Sequence, residues 1–202
     1  MRVQPLNREL ERRAADVVAA AFLDDPGWSA VGPRNPRRRL RMLRGYTRGL
    51  LAVARRWGGP VYGAFDRDDE LVGALIAFEE GHYPPPLQSM LFEARGIVPA
   101  GPPTLVRALR GQAVLDRGHP HEPHAFVSVL AVDPGSQRKG AGRALLGQVL
   151  SEADAREVPV YLDTAKPENL PYYRSFGFEL TGEGALPREA TIWYLLRPVG
   201  GR

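Results

Sequence analysis

The sequence predicts a mixed α/β fold, in which helices flank a central sheet that is mostly antiparallel. The runs Val61–Phe65 and Leu71–Phe78 are rich in apolar residues and are joined by an acidic turn, which predicts an antiparallel hairpin. Between positions 125 and 164 a strand, a helix and a second strand follow one another, which predicts a parallel βαβ unit. A last apolar run, Thr191–Arg197, predicts a further antiparallel strand.

The remaining elements follow from apolar spacing and from helix signals. Asn7 can cap a first helix, which has to end before Pro26, and a second helix begins near Pro36 with its arginines expected on the solvated face. Strands are predicted over residues 1–6, 61–65, 71–78, 125–132, 159–163, 178–180 and 191–197. Further helices are predicted near residues 87–93, 105–115, 141–155 and 170–176.

Composition narrows the class of protein before any motif is considered. The 202 residues are 44% hydrophobic and 25% charged, which predicts one soluble domain over 1–202. The chain has no cysteine, which excludes disulfides, thiolate nucleophiles and Cys-bound zinc. No apolar run is long enough to cross a bilayer and no leader is apparent, so we expect a cytoplasmic protein without membrane contacts. The sequence is compatible with a homodimer.

A Gly-rich segment carries the clearest chemical signal. Residues 137–142 read Gln-Arg-Lys-Gly-Ala-Gly, follow a strand and run directly into a helix. Glycines let the backbone approach an anion closely, and the first amides of a helix present unpaired N–H groups to it. Arg138, Lys139 and Arg143 add positive charge. The segment therefore predicts a pyrophosphate site. Its ligand is expected to be neither ATP nor NAD, because the segment lacks the ending of a P-loop and the third glycine of the dinucleotide fingerprint.

Two motifs resemble the signatures of a known family. Residues 130–134 (LAVDP) followed by Gln137-x-x-Gly140-x-Gly142 resemble the acetyl-CoA signature of the GNAT N-acetyltransferases. Residues 169–178 (NLPYYRSFGF) resemble their second signature, at the expected separation. Residues 119–124, 162–164 and 167–171 make the chain most similar to the puromycin N-acetyltransferase-like branch of that family. The resemblance covers roughly residues 119–180.

The resemblance implies an acyltransferase with acetyl-CoA as co-substrate and no metal. It implies that the backbone of Leu130 and Val132 holds the pantetheine arm and acetyl carbonyl, that the amides of 138–144 hold the pyrophosphate, and that Asn169 contacts the pantetheine arm. Tyr173 matches the tyrosine that protonates the departing thiolate, and its neighbour Tyr172 is expected to pack in the core. The implied cofactor-binding residues are Leu130, Ala131, Val132, Gln137, Arg138, Lys139, Gly140, Ala141, Gly142, Arg143, Ala144 and Asn169.

Aminolysis of a thioester needs a neutral amine and an acid for the sulfur, and needs no covalent nucleophile. A cysteine-free chain therefore suits direct transfer in a ternary complex. Glu79, Glu80, Asp163 and His124 are candidate bases, each with a solvated strand end or a structural hydrogen bond as the alternative. The segments 22–28, 79–86 and the region after Leu180 are expected to line an acceptor pocket for a small-molecule amine, with a peptide or protein acceptor as the alternative.

Other classes of protein remain as alternatives. One is a non-catalytic acyl-CoA-binding regulator, against which the intact signature residues argue. Another is a nucleic-acid-binding protein, motivated by the net charge of +4 and the arginines within 34–48, which lack interleaved stacking aromatics apart from Tyr46. His119, His121 and His124 make a poor metal site, because prolines intervene and a nearby fourth ligand is missing.

Overall fold

The computed structural model describes residues 1–83 and 89–201. In this part of the chain, the strands are β1 (Arg2–Pro5), β2 (Val61–Phe65), β3 (Leu71–Phe78), β4 (Ala125–Val132), β5 (Val160–Thr164), β6 (Glu179–Ala185) and β7 (Thr191–Arg197). The helices are α1 (Glu11–Ala21), α2 (Pro26–Val31), α3 (Pro36–Arg56), α4 (Met90–Ile97), α5 (Pro102–Gly118), α6 (Ala141–Ala155) and α7 (Leu170–Arg174).

The strands form one sheet in the order β1-β2-β3-β4-β5-β7-β6. The β4 and β5 strands are parallel, and the other neighbouring pairs are antiparallel. The predicted fold class is therefore confirmed, including the βαβ unit in which α6 joins β4 to β5. The bounds of β2, β3, β4, α6 and β7 are the predicted ones.

Each face of the sheet carries its own apolar core. On the first, which we call the α6 face, Leu145, Val149 and Ala153 pack with Leu162 and Tyr173. On the second, the α3 face, residues of α1 and α3 pack against strand residues that include Phe126, Tyr161 and Tyr194. Because successive strand residues point to opposite faces, Asp163 shares the α3 face with Tyr161.

The β4 and β5 strands separate along their length. They pair from Ala125 to Val127 on one strand and from Val160 to Leu162 on the other. Beyond that point β4 continues beside β3, with a register shift at Ser128 that leaves this residue without a counterpart, and β5 continues beside β7. A bulge of this kind bends the strand that carries it. The result is an opening between the carboxyl halves of the two strands, which we call the β4–β5 gap.

The structure differs from the sequence prediction in several local features. Helix α2 was not predicted, because Pro26 reads as the end of α1, whereas it is the first residue of a new helix that Asp25 caps. The strand predicted near 178–180 extends through Ala185. The helix predicted over 87–93 lies partly outside the described residues, and α4 begins at Met90. Within the described residues, no helix has both the length and the apolar character that a membrane crossing requires.

Candidate active site

The Gly-rich loop opens α6 at the mouth of the β4–β5 gap. Gly140 is the cap residue and has a φ of 92°, and Arg138 before it has a φ of 62°, so the chain turns twice through the left-handed region. A Cβ at Gly140 would meet no atom within 4 Å. Ala144 donates its amide to the Gly140 carbonyl at 3.0 Å, whereas the amides of 140–143 have no acceptor within the helix. The loop therefore offers free N–H donors beside open space.

Side chains of the same loop brace it from within. Gln137 donates from Nε2 to the Val132 carbonyl at 3.3 Å, and Lys139 donates from Nζ to the Gly135 carbonyl at 3.0 Å. Arg143 lies over the ring of Phe176, with its guanidinium carbon 4.9 Å from the ring centroid. Its charge is thereby held next to the first turn of α6.

The edge of β4 that faces the gap has backbone groups that do not bond to β3, and of these the Val132 carbonyl accepts from the Gln137 side chain. The Asp133 amide donates to the Val72 carbonyl at 2.8 Å. Every second β4 residue counted back from Asp133, including Ala131, therefore bonds to β3. Backbone groups alternate between the two sides of a strand. Those of Leu130 and Val132 are therefore directed away from β3 and toward the gap.

The opposite side of the gap is closed by the end of β5 and by α7. Asn169 donates from Nδ2 to Thr164 Oγ1 at 3.3 Å, which fixes this amide beside the last residue of β5. Tyr173 is 7% exposed and packs on the α6 face, 5.9 Å from the Phe178 ring. Burial raises the pKa of its phenol above the ordinary value, and Tyr172 and Asp163 add to the rise. Tyr173 is therefore protonated at neutral pH and can serve as a proton donor.

Tyr172 is partly buried and points its hydroxyl toward the start of α6. A Cβ added to Gly142 would lie 3.3 Å from that hydroxyl. The hydroxyl is shielded from solvent and has no hydrogen-bond partner among the described residues. Tyr172 was expected to pack in the core. Its ring does so in part, but its hydroxyl lies against the Gly-rich loop.

Asp163 is a titratable residue that lies at the gap on the α3 face. It pairs with Tyr194 of β7 in the sheet. Its side chain is partly accessible, yet burial raises its pKa to about 7, and the nearby carboxylate of Asp25 adds to the rise. A carboxyl with this pKa changes protonation near neutral pH and can accept a proton there. Burial is the main cause of the raised pKa of the surrounding tyrosines. Asp163 adds to the rise in five of them: Tyr46, Tyr83, Tyr161, Tyr173 and Tyr194.

The other acidic candidates lie elsewhere. Glu79 follows the last residue of β3, which pairs with Phe126 near the start of β4, so it stands at the opposite end of the sheet from the Gly-rich loop. It forms an ion pair with Arg156 at 2.8 Å. Glu80 beside it is exposed. The structure thus brings Asp163, but neither glutamate, to the gap.

His124 forms a buried pair with another histidine. Its Nδ1 lies 2.7 Å from the Glu122 carbonyl, and its Nε2 lies 2.9 Å from His119 Nε2. The carbonyl requires a proton on His124 Nδ1, so His119 donates to His124 when both rings are neutral. Both nitrogens of His124 are thus engaged. Among the described residues, no group of three or more His, Asp or Glu is placed to hold a metal ion.

Two further acidic residues lie on the α3 face. Asp25 belongs to the segment 22–28 that was expected to line the acceptor pocket; it is 6% exposed and accepts the Trp28 amide at 3.1 Å, and burial raises its pKa. Its position before Pro26 is also a helix-cap signal. Glu93 was not predicted as a site residue; burial raises its pKa, and the nearby Tyr46 hydroxyl lowers it. A single glutamate at the end of a predicted helix gives no comparable signal.

Comparison with known proteins decides the family. Residues 28–178 match the model of the acetyltransferase (GNAT) family. The chain belongs to this family. GNAT enzymes generally use acetyl-CoA.

Individual relatives are more distant. The mycothiol acetyltransferase of Acidothermus cellulolyticus is 38% identical over 72 residues, which are 34% of this chain and 22% of that GNAT relative, so the match spans about a fifth of its length. A histone acetyltransferase and related acetyltransferase from Corynebacterium glutamicum superposes with a TM-score of 0.74 at 20% identity, covering 98% of this chain and 95% of that one. Arylalkylamine N-acetyltransferase 2 from Aedes aegypti gives 0.58 at 12% identity, covering 98% of each chain.

Proposed function

We propose that this GNAT protein transfers the acetyl group of acetyl-CoA to the amine of a small molecule. One observation carries the proposal: the Asp163 carboxylate lies near enough to Tyr173 to add to the raised pKa of its phenol, so a proton acceptor and a proton donor stand close together. Burial keeps Tyr173 protonated, whereas Asp163 titrates near pH 7. Aminolysis of a thioester requires both roles.

The co-substrate side of the gap supports acetyl-CoA as the donor. The free amides of 140–143, the left-handed Gly140 and the open space beside it suit a pyrophosphate, and Arg143 supplies positive charge for a phosphate. The gap-facing backbone of Leu130 and Val132 can pair with the amides of a pantetheine arm, with Asn169 on the other side. The side chains of Gln137 and Lys139 hold the loop in this shape. Ala131, Ala141 and Ala144 contribute through their backbone groups.

The chemical step then follows from the two titratable groups. The ammonium of the acceptor loses a proton to Asp163, directly or through water, and the free amine attacks the thioester carbon. A C–N bond forms, the C–S bond breaks, and the Tyr173 hydroxyl gives its proton to the departing sulfur. The new amide nitrogen still carries a surplus proton, and its loss through water to the Tyr173 oxygen restores the hydroxyl. Asp163 is the base we favour, because Glu79 is held by Arg156 and lies far along the sheet with Glu80.

The acceptor pocket lies on the α3 face in this proposal. The expected segments 22–28 and 79–86 support it: the Asp25 carboxylate adds to the raised pKa of Asp163, Asp163 adds to that of Tyr83, and Trp28 donates its amide to Asp25. Residues 84–86 lie outside the described part. An aromatic and acidic lining suits a small amine, whose cation and apolar body it can hold. We also propose that the chain belongs to the puromycin-like branch, forms a single domain over 1–202 and is located in the cytoplasm.

Calorimetry and an amine panel test the proposal. Acetyl-CoA should bind, and dephospho-CoA should bind more weakly if Arg143 holds the 3′-phosphate, whereas ATP and NAD should not bind. Acetyl-CoA-dependent release of free thiol, measured across small primary amines, should identify acceptors. Binding of acetyl-CoA without turnover of any amine or peptide would favour the non-catalytic alternative, and absence of binding at millimolar concentration would contradict the proposal outright.

A further inference from the structure

The α3 face contains three carboxyl groups in an otherwise aromatic environment. Asp163 and Asp25 lie near each other, since the Asp25 carboxylate adds to the raised pKa of Asp163, and Glu93 lies on α4 beside α3. Burial raises the pKa of all three. Among the described residues, none of the three is in an ion pair with an arginine, lysine or histidine. A buried carboxylate without a cation beside it destabilises a fold even where an amide or hydroxyl donates to it, so these three groups point to a cationic ligand.

A continuous wall of side chains joins the two acidic ends. Tyr46 lies near enough to Glu93 for each to affect the pKa of the other, and its ring lies edge-on against the Trp28 ring with centroids 4.7 Å apart. The Trp28 amide in turn donates to the Asp25 carboxylate at 3.1 Å. The acidic residues therefore stand at the two ends of an aromatic wall rather than in one cluster.

A second aromatic series runs along the sheet. The ring of Tyr83 lies 4.7 Å from Phe126, which lies 5.5 Å from Tyr161, two residues before Asp163 on the same face. Glu93 and Asp163 each add to the raised pKa of Tyr46 and Tyr83 but not to each other's. Both tyrosines are thus near each of the two carboxyls.

An unsatisfied hydroxyl points independently to a polar ligand. Tyr161 is fully buried, and its hydroxyl has no hydrogen-bond partner among the described residues. The side chain shares the α3 face with Asp163, which adds to its raised pKa after burial. A buried hydroxyl without a partner is costly, and a nitrogen bound at Asp163 would supply one.

We propose that the acceptor carries two basic nitrogens, of which one is acetylated at Asp163 while the other stays protonated and binds Glu93 and Tyr46. The aromatic walls suit the alkyl or aryl segment between them, and tyrosine faces also attract an ammonium group. This inference rests on the proposed function, since it specifies the substrate of the same site.

Matched pairs of substrates test the second nitrogen without any mutation. Linear diamines of three to eight carbons are compared with the monoamines of equal carbon number, using thiol release at saturating acetyl-CoA. A charge-assisted hydrogen bond predicts a kcat/KM that is roughly 10- to 100-fold higher for the best diamine than for its monoamine. Equal values at every length would overturn this inference. If the monoamines are still acetylated, the proposed function survives that outcome.

Two variants then locate the second nitrogen. Glu93→Gln keeps the shape of the side chain and should bring the diamine-to-monoamine ratio close to one, and Tyr46→Phe should lower it in the same direction. The exposed Glu179→Gln on β6 is the control and should keep the parental ratio. Melting temperatures confirm that each variant is folded. A preference for diamines that Glu93→Gln and Tyr46→Phe both leave intact would contradict the assignment to Glu93.

Discussion

The two sides of the β4–β5 gap are built in different ways. The proposed co-substrate side comes from one stretch of chain, from Leu130 on β4 through α6 to Tyr173 on α7, and much of it is backbone. The proposed acceptor side consists of side chains from the α1–α2 connection, α3, α4 and β5, namely Asp25, Tyr46, Glu93 and Asp163. The first depends on local conformation, whereas the second exists only once the helices have packed on the sheet.

The two sides also carry opposite electrostatic character. Free N–H groups and Arg143 surround the Gly-rich loop, while unpaired carboxyls line the α3 face in the described part of the chain. An anionic co-substrate and a cationic acceptor would thus meet at Asp163 and Tyr173, each drawn to its own side. If this division of labour is correct, substitutions on one side should affect one substrate and leave binding of the other intact.

Tyr173→Phe should have the largest effect, because this residue acts at the point where the two sides meet. The substitution removes only the hydroxyl, so acetyl-CoA binding should survive while single-turnover acetylation slows. General acid catalysis commonly contributes ~10²–10⁴-fold, which is the expected loss. Single-turnover rates are required, because slow product release would hide the effect in kcat.

Tyr172→Phe is the matched control for that experiment. Its hydroxyl lies against Gly142 rather than at the proposed position of the sulfur, so we expect a near-parental chemical step. Loss of chemistry in Tyr172→Phe with a normal rate in Tyr173→Phe would move the acid by one residue. Normal rates in both variants would place the acid elsewhere.

Gly142→Val should weaken acetyl-CoA binding and leave the acceptor side intact. The Cβ of a side chain at this position would lie 3.3 Å from the Tyr172 hydroxyl and 3.6 Å from Val132 Cγ2, and valine adds two methyl groups to that Cβ beside the proposed pyrophosphate site. Loss of a charge-assisted contact predicts roughly 10- to 100-fold weaker binding by calorimetry. Gly147→Val is the control, since it places the same residue in the same helix where a Cβ meets nothing within 4 Å. Equal affinity in both variants would contradict the role of the loop.

The same division explains how far the sequence could predict the molecule. Five elements have the predicted bounds because their apolar runs are interrupted by clear turn residues, such as Asp133-Pro134-Gly135 before α6. The Gly-rich loop was predicted for the same reason, since glycine spacing is a local property. Glu93 could not be found this way, because its partner Tyr46 is distant in the chain and meets it only where α3 crosses α4.

Asp163→Asn should stabilise the folded protein in a pH-dependent way. Its pKa is raised from 3.8 to about 7, so the ionised carboxyl disfavours the folded state; this penalty is absent below pH 3.8, grows up to about pH 7 and is complete above it. Asparagine removes the penalty. We expect a gain on the order of 1–3 kcal/mol in the free energy of unfolding at pH 8 and almost none at pH 4. An equal gain at both pH values would mean that packing, not charge, is responsible.

Glu79→Gln should have the smallest effect, and it tests whether the far end of the sheet is separate from the chemistry. The side chains of Glu79 and Arg156 are 40% and 42% exposed, so their ion pair is screened by solvent. Its loss should cost less than about 0.5 kcal/mol of unfolding free energy, and less still at high salt. Single-turnover acetylation should keep the parental rate and pH dependence, because Asp163 rather than Glu79 lies at the gap. A fall of tenfold or more in that rate, with the melting temperature unchanged, would instead identify Glu79 as the base and would require the acceptor to enter from the α6 face. Arg156→Gln separates the two explanations, since it breaks the same ion pair without removing the carboxylate.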